Sequence, residues 1–177
     1  MLKPLSSRDD IGEIIARRDC VAASPNHLSK AWLSGGPRVA LPEEAGRHLE
    51  PDECDRLARA LTLAGVHELV AITNDPLVDD DLVFGLASHE DDLAAFSWEF
   101  SGLGALLLPR IGTDLAVLGS VDDFHLIAGP RKFVTDYAGN LKAARAEFLK
   151  YSERHFDIMR PILREAVQYM DWIESSA

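Results

Sequence analysis

Apolar residues recur at helical spacing in two central parts of the chain. Pro51 suits a first helical position and Gly65 suits the position after a helix end, so the apolar stripe between them predicts a helix over 51–64. A second stripe follows Ser88, whose hydroxyl and the carboxylate three residues later have the spacing of a capping box. This pattern predicts a helix over 89–101, with its acidic residues in the first turn, where the helix dipole favours negative charge.

Short apolar runs bounded by turn residues predict strands. Five such runs occur, at 67–73, 82–87, 105–108, 115–118 and 124–128. The last three are separated by short segments rich in glycine, proline and aspartate, so they are expected to form a meander, which is necessarily antiparallel.

The C-terminal part, 130–175, reads as helical because its apolar residues step by three and four positions. Pro161 is expected to kink or divide this segment. Its large residues exceed what a small sheet needs to cover it, which suggests a homodimer formed through these helices. The residues of this seam are Phe148, Tyr151, Phe156, Met159, Tyr169, Met170 and Trp172.

The stretch 22–50 contains several prolines and a Gly-Gly pair, so it is expected to form a long irregular arm. No repeat or linker divides the chain, and its helices and strands do not alternate as in a parallel sheet. The sequence therefore predicts one α+β domain over 1–177. Its mainly antiparallel sheet of about five strands would pack against helices lying on one face, with a long C-terminal helical segment kinked near Pro161.

The charge is concentrated in one segment. The 177 residues include 29 acidic and 18 basic side chains, a net charge of −11. Ala60 to Pro109 contains no lysine or arginine but nine carboxylates: Glu68, Asp75, Asp79, Asp80, Asp81, Glu90, Asp91, Asp92 and Glu99. Such a segment disfavours binding to nucleic acid or to an anionic membrane and attracts a basic partner.

The location expected for this chain is the cytoplasm. The first ten residues lack the apolar core of a secretory signal, and no apolar run approaches the roughly 18 residues needed to span a bilayer. Cys20 and Cys54 do not have the spacing of a redox motif or a disulfide framework, so both are expected to be buried or half-buried thiols without a redox or metal role.

No group of residues has the spacing of a known catalytic or metal site. Asp79, Asp80 and Asp81 lack the glycine and distal glutamate of a calcium loop. Asp123 and His125 would share one face of a strand, which lets a carboxylate orient an imidazole, but no third catalytic member accompanies them. The sequence thus predicts no catalytic residue, no metal ligand and no cofactor, and an enzyme is the less favoured class.

Two functions remain. The first is a cytoplasmic protein-binding domain, similar in kind to an immunity or inhibitor protein, that engages a basic partner through the acidic segment. Its expected binding residues are Asp75, Asp79, Asp80, Asp81, Glu90, Asp91 and Asp92. The alternative is a small enzyme or small-molecule-binding domain, with a pocket near Trp32 and Trp98 that also includes Asp123 and His125.

Overall fold

A computed structural model describes residues 2–46, 48–75, 82–120, 124–154 and 160–170 of the chain. These residues form nine strands and seven helices. In chain order they are β1 (Lys3–Pro4), α1 (Arg8–Val21), β2 (Ala22–Ser24), β3 (His27–Leu28), α2 (Lys30–Ser34), β4 (Arg38–Glu44), α3 (Pro51–Leu63), β5 (Glu68–Thr73), β6 (Val83–Ala87), α4 (Glu90–Glu99), β7 (Ala105–Pro109), β8 (Ala116–Gly119), β9 (Phe124–Pro130), α5 (Arg131–Ala138), α6 (Leu141–Arg154) and α7 (Arg160–Val167).

Seven strands form one antiparallel sheet in the order β1-β6-β5-β7-β8-β9-β4, and β2 and β3 form a separate hairpin. This confirms the α+β class, and the antiparallel β7-β8-β9 meander is present. The sheet is larger than the expected five strands because β1 and β4 extend it at its two edges.

Helices cover both faces of the sheet, so the expectation that they lie on one face was wrong. One core contains side chains from α1, α2, α6 and α7, whereas the other contains side chains from α3, α4 and α5. Every residue of β7 is buried. A strand that is apolar at consecutive positions, as β7 is, is typical of a sheet covered on both faces.

The stretch 22–50 is not an irregular arm, because it contains β2, β3, α2 and the seven-residue strand β4. Pro42 lies in the middle of β4, paired with Leu126 of β9. Proline is tolerated there because β4 is an edge strand, so the missing N–H removes no bond to a further strand. Trp32 is buried in α2, and its indole N–H donates to the carbonyl of Thr113 at 2.7 Å.

Helix α4 begins one residue later than the capping pattern indicated. The N-cap is His89, whose imidazole accepts from the N–H of Asp91 at 3.3 Å. The N–H of Ser88 donates to the carbonyl of His67, so Ser88 prolongs the pairing of β6 with β5 and the helix begins after it.

The C-terminal segment forms α6 and α7, with Pro161 in the first turn of α7, where proline is tolerated. The kink predicted near Pro161 stays a prediction, because residues 155–159 lie outside the described residues. Four seam residues are buried in the chain's own first core: Phe148, Tyr151, Tyr169 and Met170. Phe156, Met159 and Trp172 lie outside the described residues, and the homodimer stays a prediction.

None of the helices in the described ranges combines the length and apolar content needed to cross a bilayer.

Candidate functional site

A cleft lies at one end of the sheet because one cross-strand row lacks large apolar side chains. On the face covered by α3, α4 and α5, this row comprises Glu43, His125, Gly119, Ala105 and Thr73, from β4, β9, β8, β7 and β5. The neighbouring row comprises Leu41, Ile127, Val117, Leu107 and Ala71, which fill the space beneath the helices. The change from large to small side chains leaves room above Gly119 and Ala105.

The cleft has a volume of about 500 Å³. Phe96 and Phe100 from the end of α4 line it, with their ring centroids 5.0 Å apart and their planes tilted by 38°. The other lining residues are Gly46, Leu49, Ser97, Gly102, Leu103, Ala105, Val117, Gly119, Ser120 and His125. We refer to this space as the His125 cleft.

His125 is the titratable side chain among these lining residues. A methyl group placed on Gly119 would lie 3.8 Å from Cδ2 and 3.9 Å from Nε2 of His125, so the imidazole lies beside the glycine at the cleft floor. Burial lowers the pKa of His125 to about 4. The ring is therefore neutral at physiological pH, with one nitrogen as donor and the other as acceptor.

Glu43, the cross-strand neighbour of His125, is held by other groups. The Tyr137 hydroxyl donates to Oε2 of Glu43, and Nη1 of Arg56 donates to Oε1 at 2.9 Å. The Arg56 guanidinium also lies 4.7 Å from the centroid of the Tyr137 ring. Burial, followed by the charge of Glu43, raises the pKa of Tyr137. Because both carboxylate oxygens are engaged, Glu43 ties β4 to α3 and α5 and does not pair with His125.

Helices α3 and α4 pack against each other beside the cleft. The N–H of Leu49, just before α3, donates to Oγ of Ser97 near the end of α4. Burial, followed by the charges of Glu53, Asp52 and Glu90, raises the pKa of Cys54 to about 11. The first turn of α4 therefore lies near the start of α3, and the Cys54 thiol is not activated as a nucleophile.

The exposed side of these two helices is acidic. Arg59 forms an ion pair of 3.7 Å with Asp55, and Arg56 is half-buried against Glu43. We define the acidic helical face as the exposed carboxylates of α3 and α4, that of the residue that caps the start of α3, and Trp98. Its residues are Glu50, Asp52, Asp55, Glu90, Asp91, Glu99 and Trp98.

Trp98 is the large aromatic side chain of this face. It is 68% exposed, and its ring centroid lies 3.8 Å from that of His48. Ser97, the preceding residue, lines the His125 cleft, so Trp98 directly follows a cleft residue along α4. An indole held in place by a neighbouring ring yet open to solvent is available for contact with another molecule.

The structure separates the residues that the sequence grouped as a pocket. Trp32 belongs to the core on the opposite face of the sheet from α4, so it does not share a site with Trp98. His125 does line a cleft, whereas Asp123 lies outside the described residues.

The predicted partner-binding residues have different surroundings. Glu90 and Asp91 are exposed in the first turn of α4. Asp92 is half-buried, and its Oδ2 accepts from the N–H of Ala87 at 3.1 Å, so it also has a structural role. Asp75 is half-buried after β5. Asp79, Asp80 and Asp81 lie outside the described residues.

Sequence reasoning missed Phe96, Phe100 and Ser97 as cleft residues, and it missed the engagement of Glu43. The available signal was two small residues at matching ends of two predicted strands, Ala105 at the start of 105–108 and Gly119 directly after 115–118. In an antiparallel pair these ends meet, so their side chains share one row. No group of three histidine, cysteine or acidic side chains within the described ranges is placed to hold a metal ion.

Comparison with known proteins found no matching family model, no similar protein of curated function and no similar solved structure. No relative therefore supplies a function or a site residue for this chain.

Proposed function

We propose that this protein is an acidic, cytoplasmic protein-binding domain, similar in kind to an immunity or inhibitor protein, that covers a basic surface of its partner. The acidic helical face is the proposed binding surface. The observation that carries the proposal is Trp98, an exposed indole on a helix that also presents exposed carboxylates and packs against the acidic helix α3.

The combination of an aromatic side chain and surrounding charge suits a protein interface. Tryptophan is enriched among the residues that contribute most to binding, because burying its large ring removes much apolar surface from water. Carboxylates around such a residue accelerate association with a cationic surface and disfavour acidic competitors. Asp75, Asp79, Asp80 and Asp81 are retained in the proposed surface on the basis of the sequence alone.

The experiment begins with capture of the partner from a cytoplasmic extract of the native host, at low and at high salt, followed by its identification. Association and dissociation rates are then measured for the purified pair. We expect the association rate to fall as salt rises, because salt screens exposed charges over about 10 Å at 0.1 M.

Two matched pairs of variants separate the acidic helical face from overall charge. The double variant Asp91→Asn, Glu99→Gln removes two exposed carboxylates from α4, and the control Glu147→Gln, Glu153→Gln removes two exposed carboxylates from α6. We expect the first to slow association several-fold and the second to have little effect. Equal effects of both variants would mean that only net charge matters and would overturn the proposed surface.

The aromatic contribution is tested by Trp98→Ala against Ile111→Ala, a truncation of another exposed side chain that is 88% accessible to solvent. We expect Trp98→Ala to accelerate dissociation at least tenfold, and Ile111→Ala to leave it unchanged. A partner that dissociates from the Trp98→Ala variant at the wild-type rate excludes this face.

A further inference from the structure

We propose that the His125 cleft binds an uncharged molecule of up to nucleoside size that contains a planar aromatic or heteroaromatic ring, which packs against Phe96 and Phe100 and forms a hydrogen bond with His125. This site is distinct from the acidic helical face, and it goes beyond the protein-binding function proposed above.

The size of the cleft is the first argument. Its volume of about 500 Å³ lies within the range of about 300–1,000 Å³ found for small-molecule sites.

The backbone conformation at Gly119 does not require a glycine there. Gly119 does not have a positive φ, and a methyl group on it would contact its neighbours at 3.7 Å or more, which is ordinary van der Waals separation. A larger residue at this position could fill the cleft without backbone strain. The glycine therefore keeps the floor open, although the fold does not depend on it.

His125 differs from the two serines that line the cleft in its hydrogen bonding. Ser97 accepts from the N–H of Leu49, and the Ser120 hydroxyl donates to Oδ1 of Asn26 at 2.7 Å, so both hydroxyls are engaged within the protein. The imidazole of His125 makes no hydrogen bond with any residue in the described ranges. A half-buried donor and acceptor without protein partners are available to a ligand.

The neutral imidazole and the two apolar rings favour an uncharged ligand. Among the described residues, the lining includes no lysine, arginine or carboxylate, and burial lowers the pKa of His125 so that the ring is neutral. A charged ligand would lose its hydration beside these residues without meeting an opposite charge among them. The two phenylalanine rings instead offer apolar faces and edges to a planar ring.

The test uses probes that share a shape and differ in charge. Benzamide, benzoate and benzamidine form one set, and adenosine and adenosine monophosphate form another. Each is titrated into the full chain while amide and imidazole NMR signals are recorded. We expect saturable shifts at Phe96, Phe100, Gly119 and His125 with benzamide or adenosine, and at least tenfold weaker binding of the charged analogues.

Variants locate the binding. Gly119→Val places a side chain in the cleft and should abolish binding while the melting temperature stays the same or rises. Gly85→Val is the control, because Gly85 is also a strand glycine with only ordinary contacts but lies outside this cleft. Should Gly119→Val fail to fold, His125→Phe provides the same test, since it removes the polar partner and adds bulk.

Failure of both uncharged probes to give saturable shifts at millimolar concentration overturns the proposal. Binding that persists in the folded cleft variant also overturns it, as does equal affinity for charged and uncharged members of a set. Partner binding by Gly119→Val should match the wild type, so the outcome here is separate from that of the acidic helical face.

Discussion

Replacing His125 with glutamine should remove a pH-dependent part of the stability of this protein. In the folded chain burial lowers the pKa of His125 to about 4, compared with an ordinary value of 6.5. Between these two pH values the unfolded chain binds the proton and the folded chain does not. Protons therefore favour unfolding, and the stabilising effect of the neutral ring is complete above pH 6.5 and is lost as the pH falls toward 4.

The magnitude follows from the two pKa values. A tenfold change in proton affinity corresponds to about 1.36 kcal/mol, so full loss between the two pKa values amounts to about 3 kcal/mol. Between pH 7.5 and pH 4.5, which is a practical range, the expected loss is about 2 to 2.5 kcal/mol. Partial access of solvent to the cleft reduces this value and does not change its sign.

The measurement is urea denaturation, followed by circular dichroism, of the wild type and His125→Gln at several pH values between 4.5 and 7.5. Taking the difference between the two proteins cancels the titration of carboxylates that they share. His67→Gln is the control, because His67 is an exposed histidine. We expect the wild type to lose about 2 kcal/mol more than His125→Gln toward pH 4.5, whereas His67→Gln should follow the wild type. Parallel losses in the wild type and His125→Gln would refute the argument and would also remove the neutral imidazole from the ligand proposal.

Three further outcomes are expected. Gly129→Ala should destabilise the fold by about 2 to 4 kcal/mol in urea denaturation. The φ of Gly129 is +156°, and the added methyl group would lie 2.8 Å from Cβ of Leu115. A loss of stability below about 0.5 kcal/mol would contradict this prediction. Tyr137→Phe should lower the free energy of unfolding by about 1 to 3 kcal/mol in the same assay. The substitution leaves one carboxylate oxygen of the half-buried Glu43 without its hydrogen-bond donor. Unchanged stability would show that water replaces the hydroxyl. Iodoacetamide at pH 8 should modify Cys20, which is exposed and not buried or half-buried as expected from the sequence, and should spare Cys54, which is buried and has a pKa of about 11. Intact mass should show one adduct on the native chain and two after unfolding, and two adducts on the native chain would contradict the burial.

The regular elements could be predicted from the sequence because their signals are local. Helix α3 begins at Pro51 as predicted. Strands β7 and β9 include the apolar runs that indicated them, and β8 is shifted by one residue from its run at 115–118. Local spacing also placed Glu90 and Asp91 in the first turn of a helix. These features depend on backbone periodicity and capping, which neighbouring residues determine.

Strand β4 was missed because its evidence is not local. Prolines flank and interrupt this segment, and proline is unfavourable in a strand unless the strand lies at an edge. The edge position results from pairing with β9, far along the chain. The sequence also did not reveal that helices cover both faces of the sheet, because the face on which a helix packs depends on the order of the strands.

The His125 cleft depended entirely on the tertiary structure. The sequence determined that His125 lies in a strand, that Gly119 ends the preceding one and that the chain is acidic. Strand register decided that Glu43, His125, Gly119 and Ala105 form one row, and the packing of α4 placed two phenylalanine rings above it. The physical reason is that cross-strand and helix-to-sheet contacts join residues distant in sequence. Local periodicity therefore does not predict which of these side chains will be in contact.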